Sequence, residues 1–306
     1  DRGQDVMVLS DGRIAVLNMR PPKLITYSPQ GDATGDISLA SHEGMHLALG
    51  AATAGDRLVL HTASTTFDDK SQTSTNALRA MDPSTGEYVL DYLTDSQTHD
   101  RMGDGGRMVV RITNEGFLDD WALADDGSVY VVRDADAYEI EVYDREATHV
   151  RTIRRDFEPV RRPQEAIDAD LAERKAMAER FGMTFDADEI PTHHPAIERM
   201  IPRPNGELWV LPGSGRADDD DQIVGVFDVF DAEGRFVRQV ELRALFDRAA
   251  DRMVLARDAL VVFEDLVAAQ GGGLVIMGSA SQQEETDEEA DPLAITRYRL
   301  GPLRME

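Results

Sequence analysis

Five times along this chain an apolar run meets a glycine turn and a second apolar run, with a further apolar run and another tight turn downstream. Val6–Leu17 turns at Asp11-Gly12 and is followed by Leu24–Gly31. Leu47–His61 turns at Gly55 and is followed by Leu78–Gly86. Trp121–Val132 turns at Asp126-Gly127 before Tyr138–Ala147, and Arg199–Leu211 turns at Asn205-Gly206 before Val226–Gly234. The last copy, Leu266–Met277, turns at Gly272 and ends in Leu293–Leu300. Asp-Gly and Asn-Gly supply the positive φ angles of a two-residue hairpin, and the short alternating runs beside them supply half-buried strands. A lone hairpin cannot bury its faces, so the copies must stack along a line or around an axis.

The turn glycines lie 43, 72, 79 and 66 residues apart, too irregular for a strict solenoid. A constant hairpin with variable spacing suits the blades of a β-propeller whose loops differ in length. The form DG-x-Ψ-x-V…Ψ-x-V-Y/F-D-x-x-G, with Ψ apolar, is carried best by Trp121–Arg155 and by Gln222–Val240. It resembles the six-bladed β-propellers of the NHL and TolB-like type. The resemblance covers most of the chain and implies one domain over 1–306. It also implies an all-β, six-bladed ring closed by pairing N- and C-terminal strands in one blade. With five copies found, the sixth blade is expected from 95–116, with Arg107–Ile112 as one strand, or from 236–263. The motif specifies an architecture that hosts binding modules, hydrolases, lyases and scaffolds alike.

The longest interruption, 156–198 between the third and fourth copies, reads as a helical lid-like insertion. Its helix spans Pro163–Phe181, with proline at the start, acids in the first turns and Gly182 to cap the end. Asp218–Asp221 and Glu284–Asp291 read as solvated acidic loops, and the first lacks the ligand spacing of an EF-hand. Trp121 and Trp209 read as core residues.

Charge narrows the possible partners. With 58 acids against 32 basic residues the formal charge is −26, which opposes nucleic-acid backbones and anionic lipid. Only Lys23, Lys70 and Lys175 are lysines, a balance that suits a salty medium. With no cysteine, there is no disulfide, thiolate zinc site or cysteine nucleophile. No apolar run is long enough to span a membrane. The chain begins at Asp1, consistent with a removed signal peptide or a trimmed N-terminus, and an extracytoplasmic (periplasmic or secreted) location is expected.

Within this acidic chain Arg151, Arg154, Arg155, Arg161 and Arg162 form a positive island whose guanidinium forks suit an anionic ligand, or salt bridges to the acids nearby. Seven residues before each turn glycine stand Asp5, Ala48, Asp120, Arg199 and Asp265, with Glu198 and His46 close by. In equivalent blades this is where the chain enters the innermost strand, at one mouth of a central channel. Asp5, Asp120, Glu198 and Asp265 are therefore candidate ligands for Ca²⁺ or Mg²⁺, or caps on strand starts. The arrangement resembles the metal-bearing channel of six-bladed lactonases and esterases. His46 and His193 are the candidate bases of such chemistry. No zinc-protease helix, nucleophile elbow or Walker loop is present. The leading expectation is an extracytoplasmic module that binds a ligand or a protein partner, alone or as a subunit of an assembly. The alternative is a divalent-metal-dependent hydrolase or lyase at the channel mouth.

Overall fold

A computed structural model of the chain describes residues 6–19, 22–39, 45–68, 71–100, 120–181, 190–215, 222–247, 251–255, 259–264 and 294–300. The repeat units become antiparallel meanders built from consecutive strands. β1 (Val6–Val8), β2 (Ile14–Met19), β3 (Pro22–Tyr27) and β4 (Ala33–Ser38) form the first sheet in that order. β5 (Met45–Ala54), β6 (Arg57–Phe67), β7 (Ser71–Asp82) and β8 (Glu87–Asp100) form the second. β9 (Asp120–Leu123), β10 (Val129–Val132), β11 (Glu139–Tyr143) and β12 (His149–Arg154) form the third. β13 (Ile197–Pro202), β14 (Leu208–Pro212), β15 (Ile223–Phe230) and β16 (Phe236–Arg243) form the fourth. β17 (Arg252–Leu255), β18 (Ala259–Phe263) and β19 (Ile295–Arg299) form a three-stranded fifth. One α-helix among the described residues, α1 (Gln164–Phe181), follows β12 and precedes β13.

The core is partitioned into seams between successive sheets, which is what makes these sheets the blades of a β-propeller. Leu17, Leu24, Leu58 and Leu60 share a cluster that joins the first two sheets. Val59, Leu78, Trp121 and Val131 join the second and third, while Ile140, Val142, Ile197 and Val210 join the third and fourth. Phe227, Val229, Leu260 and Val262 join the fourth and fifth. The second, third and fourth blades each present one apolar face to the blade before and one to the blade after, burial that a lone blade could not achieve. The first strands stand next to one another, with β9 beside both β5 and β13. Trp121 and Trp209 are buried in these seams.

The described residues make five blades where the sequence predicts six. Residues 236–263 are shared out and build no blade of their own: β16 is the outer strand of the fourth sheet, and β17 and β18 begin the fifth. In 95–116 the described part simply prolongs β8 to Asp100. Arg107–Ile112 and the hairpin Leu266–Met277 lie outside the described residues. Among the described residues each sheet also uses neighbouring strands only, with β1 on β2 and β19 on β18, so no sheet mixes the two ends of the chain.

The turn at Gly55 has the expected two-residue form, with Ala54 paired to Arg57 across it, but the turns at Gly12, Gly127 and Gly206 are one residue longer. In the first blade the Leu9 amide donates to the Arg13 carbonyl at 2.8 Å and the Gly12 amide to the Leu9 carbonyl at 2.9 Å. Only the glycine takes positive φ (86°), so this is a type I turn closed by a left-handed residue. The same pair of bonds recurs from Ala124 to Ser128, Arg203 to Glu207 and Asp231 to Arg235. Their aspartates have a structural role, because a side-chain oxygen satisfies amides within the turn. Asp231 Oδ1 accepts from Glu233 and Arg235 at 3.1 and 2.9 Å, and Asp126 Oδ1 accepts from Ser128 at 2.8 Å.

The Arg235 amide, with the Arg235 guanidinium behind it, holds the Asp231 carboxyl below its ordinary range. A depressed folded pKa contributes stability above the unfolded value, lost as pH falls through the folded one. Asp231→Ala is therefore expected to lower the thermal midpoint above roughly pH 4, the ordinary aspartate range, and to match the parent protein in stronger acid. Midpoints scanned across pH for both proteins test this, and a gap that widens in acid contradicts it.

Gly234 also marks a seam. With φ at 81°, an added Cβ there comes within 2.9 Å of Ile153 Cγ1 on β12 of the preceding blade. The equivalent turn glycine of the second blade, Gly86, lies against the Ser38 carbonyl of the first blade. The outer strand of each of these blades thus lies on the last turn of the next, and the turn must be bare. Gly234→Val is expected to cost about 1–3 kcal/mol from backbone strain alone, read as a lowered denaturant midpoint with an unchanged slope.

Candidate functional site

Because the strands of a meander alternate in direction, its connections fall into two sets. In the first four blades tight turns join first to second strands and third to fourth, at one end of the strands. Connections between second and third strands, and between blades, leave from the other end. The longest intervals of sequence between consecutive described strands all fall at this second end: 101–119, 155–196, 213–222 and 264–294. Long connections over a rigid scaffold are where binding surfaces are built.

The second blade also extends at this end. β7 and β8 run 12 and 14 residues, against 4 to 6 in the third blade. In its prolonged part Ser64, Thr75 and Ser96 pair across three strands, as do Thr66, Thr73 and Thr98. Thr75 and Ser96 hydroxyls are 2.9 Å apart, and those of Thr73 and Thr98 are 3.0 Å apart. The alternating Ser/Thr pattern of 62–66, 73–75 and 94–98 was the sequence signal for this wall, which hairpin counting passes over.

Several residues picked from the sequence fall at the same end of the strands. Asp120 opens β9, His46 and Glu198 are second in β5 and β13, and His193 lies just before β13. Asp120 Oδ2 accepts the Met200 amide of the neighbouring inner strand at 3.1 Å, which is the strand-capping role. Glu198 is brought to His194, with Oε1 3.7 Å from Nδ1 and both side chains largely buried. His46 is buried, with Nε2 3.3 Å from the Tyr88 hydroxyl. His193 is exposed and contacts the Thr192 hydroxyl at 3.1 Å. Asp5 and Asp265 lie outside the described residues. Among the described residues no group of three or more His, Asp or Glu side chains is placed to hold a metal ion.

The arginine island divides along the chain. Arg151 lies by the Gly234 turn and beside Tyr130, whose hydroxyl pKa is raised by burial and drawn partly back by that guanidinium. Arg154 forks onto Glu139 with bonds of 2.6 and 3.0 Å. Arg162 reaches Asp170 of α1 at 2.6 Å and the Pro191 carbonyl at 3.0 Å. Arg161 is exposed and pairs through its backbone with His193.

Arg155 enters a network that the sequence reading did not single out. It forms an ion pair with Asp228 in the middle of β15, an aspartate only 1% exposed. Asp228 Oδ2 also accepts from the Tyr138 hydroxyl at 2.9 Å, and Oδ1 from Gln239 Nε2 at 3.0 Å. Arg155 Cζ stands 4.4 Å from the centre of the Phe236 ring. Burial, with the neighbouring Asp228 charge, pushes the Tyr138 hydroxyl far above the ordinary tyrosine range, so it stays a donor. The one signal was Asp228 itself, an acid set in the otherwise apolar run Val226–Phe230.

No family model matches this chain, and no curated protein does. Among solved structures, a eukaryotic initiation factor overlaps 85% of this chain and 71% of its own, at 9% identity and TM-score 0.31. The WD40 β-propeller domain of Doa1 overlaps 85% and 75%, at 9% identity and TM-score 0.35. Prolyl oligopeptidase B from Galerina marginata overlaps 86% of this chain and 39% of its own, at 10% identity and TM-score 0.32. Overlap this loose decides neither fold nor function. The propeller arrangement stands on the blade order and the seams. Among the described residues no helix is long and apolar enough to cross a membrane.

Proposed function

We propose that this propeller is an interaction module, working outside the cytoplasm alone or within an assembly, and that its working face is the end bearing the long connections. The observation that carries the reading is the asymmetry of the two strand ends. One end is closed by tight turns whose polar groups bond to one another. The other gathers the 155–196 connection with α1, the prolonged second blade and the exposed Arg161.

Charge reversal tests it. In cross-linking and affinity capture, Arg161→Glu with Asp168→Arg is expected to lose the captured partner, because both residues are exposed at the connection-bearing end. Glu233→Arg at a turn is expected to keep it. Loss of the partner only in the turn variant would overturn the assignment.

The metal-dependent hydrolase or lyase fits less well, because Asp120 already accepts the Met200 amide and Glu198 faces His194. Calorimetric titration with Ca²⁺ and Mg²⁺ decides it. One equivalent bound by the parent chain and none by Asp120→Asn would favour that alternative.

A further inference from the structure

The connection that carries α1 is fastened to the propeller at its two roots, and its returning stem buries Ile190. Along residues 164–176 of α1, Ile167 is the one buried side chain, at 8% exposed, and Arg162 clips the first turns through Asp170. Below the helix the two stems pair with each other. The Arg162 amide donates to the Thr192 carbonyl at 3.0 Å and the His194 amide to the Val160 carbonyl at 2.8 Å. This makes a short two-stranded neck below the helix. The returning stem is tied to the third blade by the Ala196 amide on the Ala135 carbonyl at 2.6 Å. The outgoing stem is tied by Arg155, whose amide donates to the Tyr138 carbonyl at 3.2 Å and whose guanidinium crosses to Asp228 in the fourth blade. Phe157 then rests by Tyr138, with ring centres 6.4 Å apart.

We infer that the Arg155–Asp228 ion pair is a latch: it holds the α1 connection in one position over the seam between the third and fourth blades, and the connection swings as an arm when the pair opens. The seam does not depend on Arg155 for its packing, since Ile140, Val142, Ile197 and Val210 fill it without the arginine. Arg155 is one-third exposed and sits at the root, so it can be withdrawn without opening that cluster. Tyr138 and Gln239 remain on Asp228 when it leaves and keep the buried carboxylate hydrogen-bonded. A two-position element of this kind gives a binding face a way to be covered or exposed. The inference does not rest on the interaction reading, because the position of the arm is measurable with no partner present.

The absence of native cysteine makes the test clean. Spin labels on Lys175→Cys in α1 and Glu233→Cys in the fourth blade report the arm, and labels on Glu146→Cys and Glu233→Cys report the seam. All three positions are exposed. The latch is opened by Arg155→Gln with Asp228→Asn, which leaves no unpaired buried charge. The expected result is an arm distance distribution of about twice the parent width, or with a second peak, while the seam distance stays unchanged. An arm distance that keeps its single peak would overturn the latch, as would equal broadening of both pairs. If the double variant fails to fold, Arg155→Gln alone in the same two labelled backgrounds gives the same comparison, since Tyr138 and Gln239 still bond the Asp228 carboxylate.

Discussion

Asp228→Ala is expected to lower folding stability by about 3–5 kcal/mol, the usual effect of removing one member of a buried ion pair. Three donors converge on this carboxylate: the Arg155 guanidinium, the Tyr138 hydroxyl and the Gln239 amide. Alanine leaves all three without their acceptor, and it leaves a charge half-withdrawn from water. Asp228→Asn keeps an acceptor for Tyr138 and is expected to cost less. Tyr138→Phe removes one neutral donor and is expected to cost about 1 kcal/mol. Equilibrium denaturation of the three variants checks the order. A loss under 1 kcal/mol for Asp228→Ala would show that the network lies open to solvent.

Phe227→Ala is expected to cost a comparable 3–5 kcal/mol, for a different reason. The ring is fully buried among Trp209, Val229, Val240 and Leu260, with the Trp209 ring centre 6.0 Å away. Truncation removes apolar burial and leaves a cavity at the seam between the fourth and fifth blades. Phe236, 46% exposed at the start of β16, provides the contrast. Its replacement by alanine is expected to cost much less, and near-equal losses at the two positions would contradict the seam assignment.

The blade unit was legible because its signals are local. An apolar alternation, a glycine turn and a second alternation lie within 12 to 15 residues, and four such units became sheets in the order in which they occur. The number of blades was not legible, because it depends on how strands are shared. Phe236–Arg243 reads equally well as the start of a new blade or the edge of the fourth, and only pairing with β15 decides. The turn type was misjudged for a related reason. Asp-Gly is compatible with two turns, and the longer one is selected by hydrogen bonds to residues such as Arg13 and Ser128. At the candidate site, counting back from the turn glycines found Asp120 and brought Glu198 and His46 into view, since strand starts recur with the repeat. The role of Asp228 could not be read, because its partners lie 73 and 90 positions upstream and 11 downstream at Arg155, Tyr138 and Gln239. Similarly, five arginines close together in sequence read as one positive surface. The strand β12 and the outgoing stem that carry them deliver each to a different neighbour.

The most direct measurement of the central claim, that this propeller works through the end bearing its long connections, is hydrogen exchange on the protein alone and in its captured complex. The account predicts slowed exchange on binding in 94–100, 155–164 and 190–196. It predicts no change at the turns 28–32, 125–128, 205–207 and 231–235. Protection concentrated on those turns, with the connections unaffected, would contradict it.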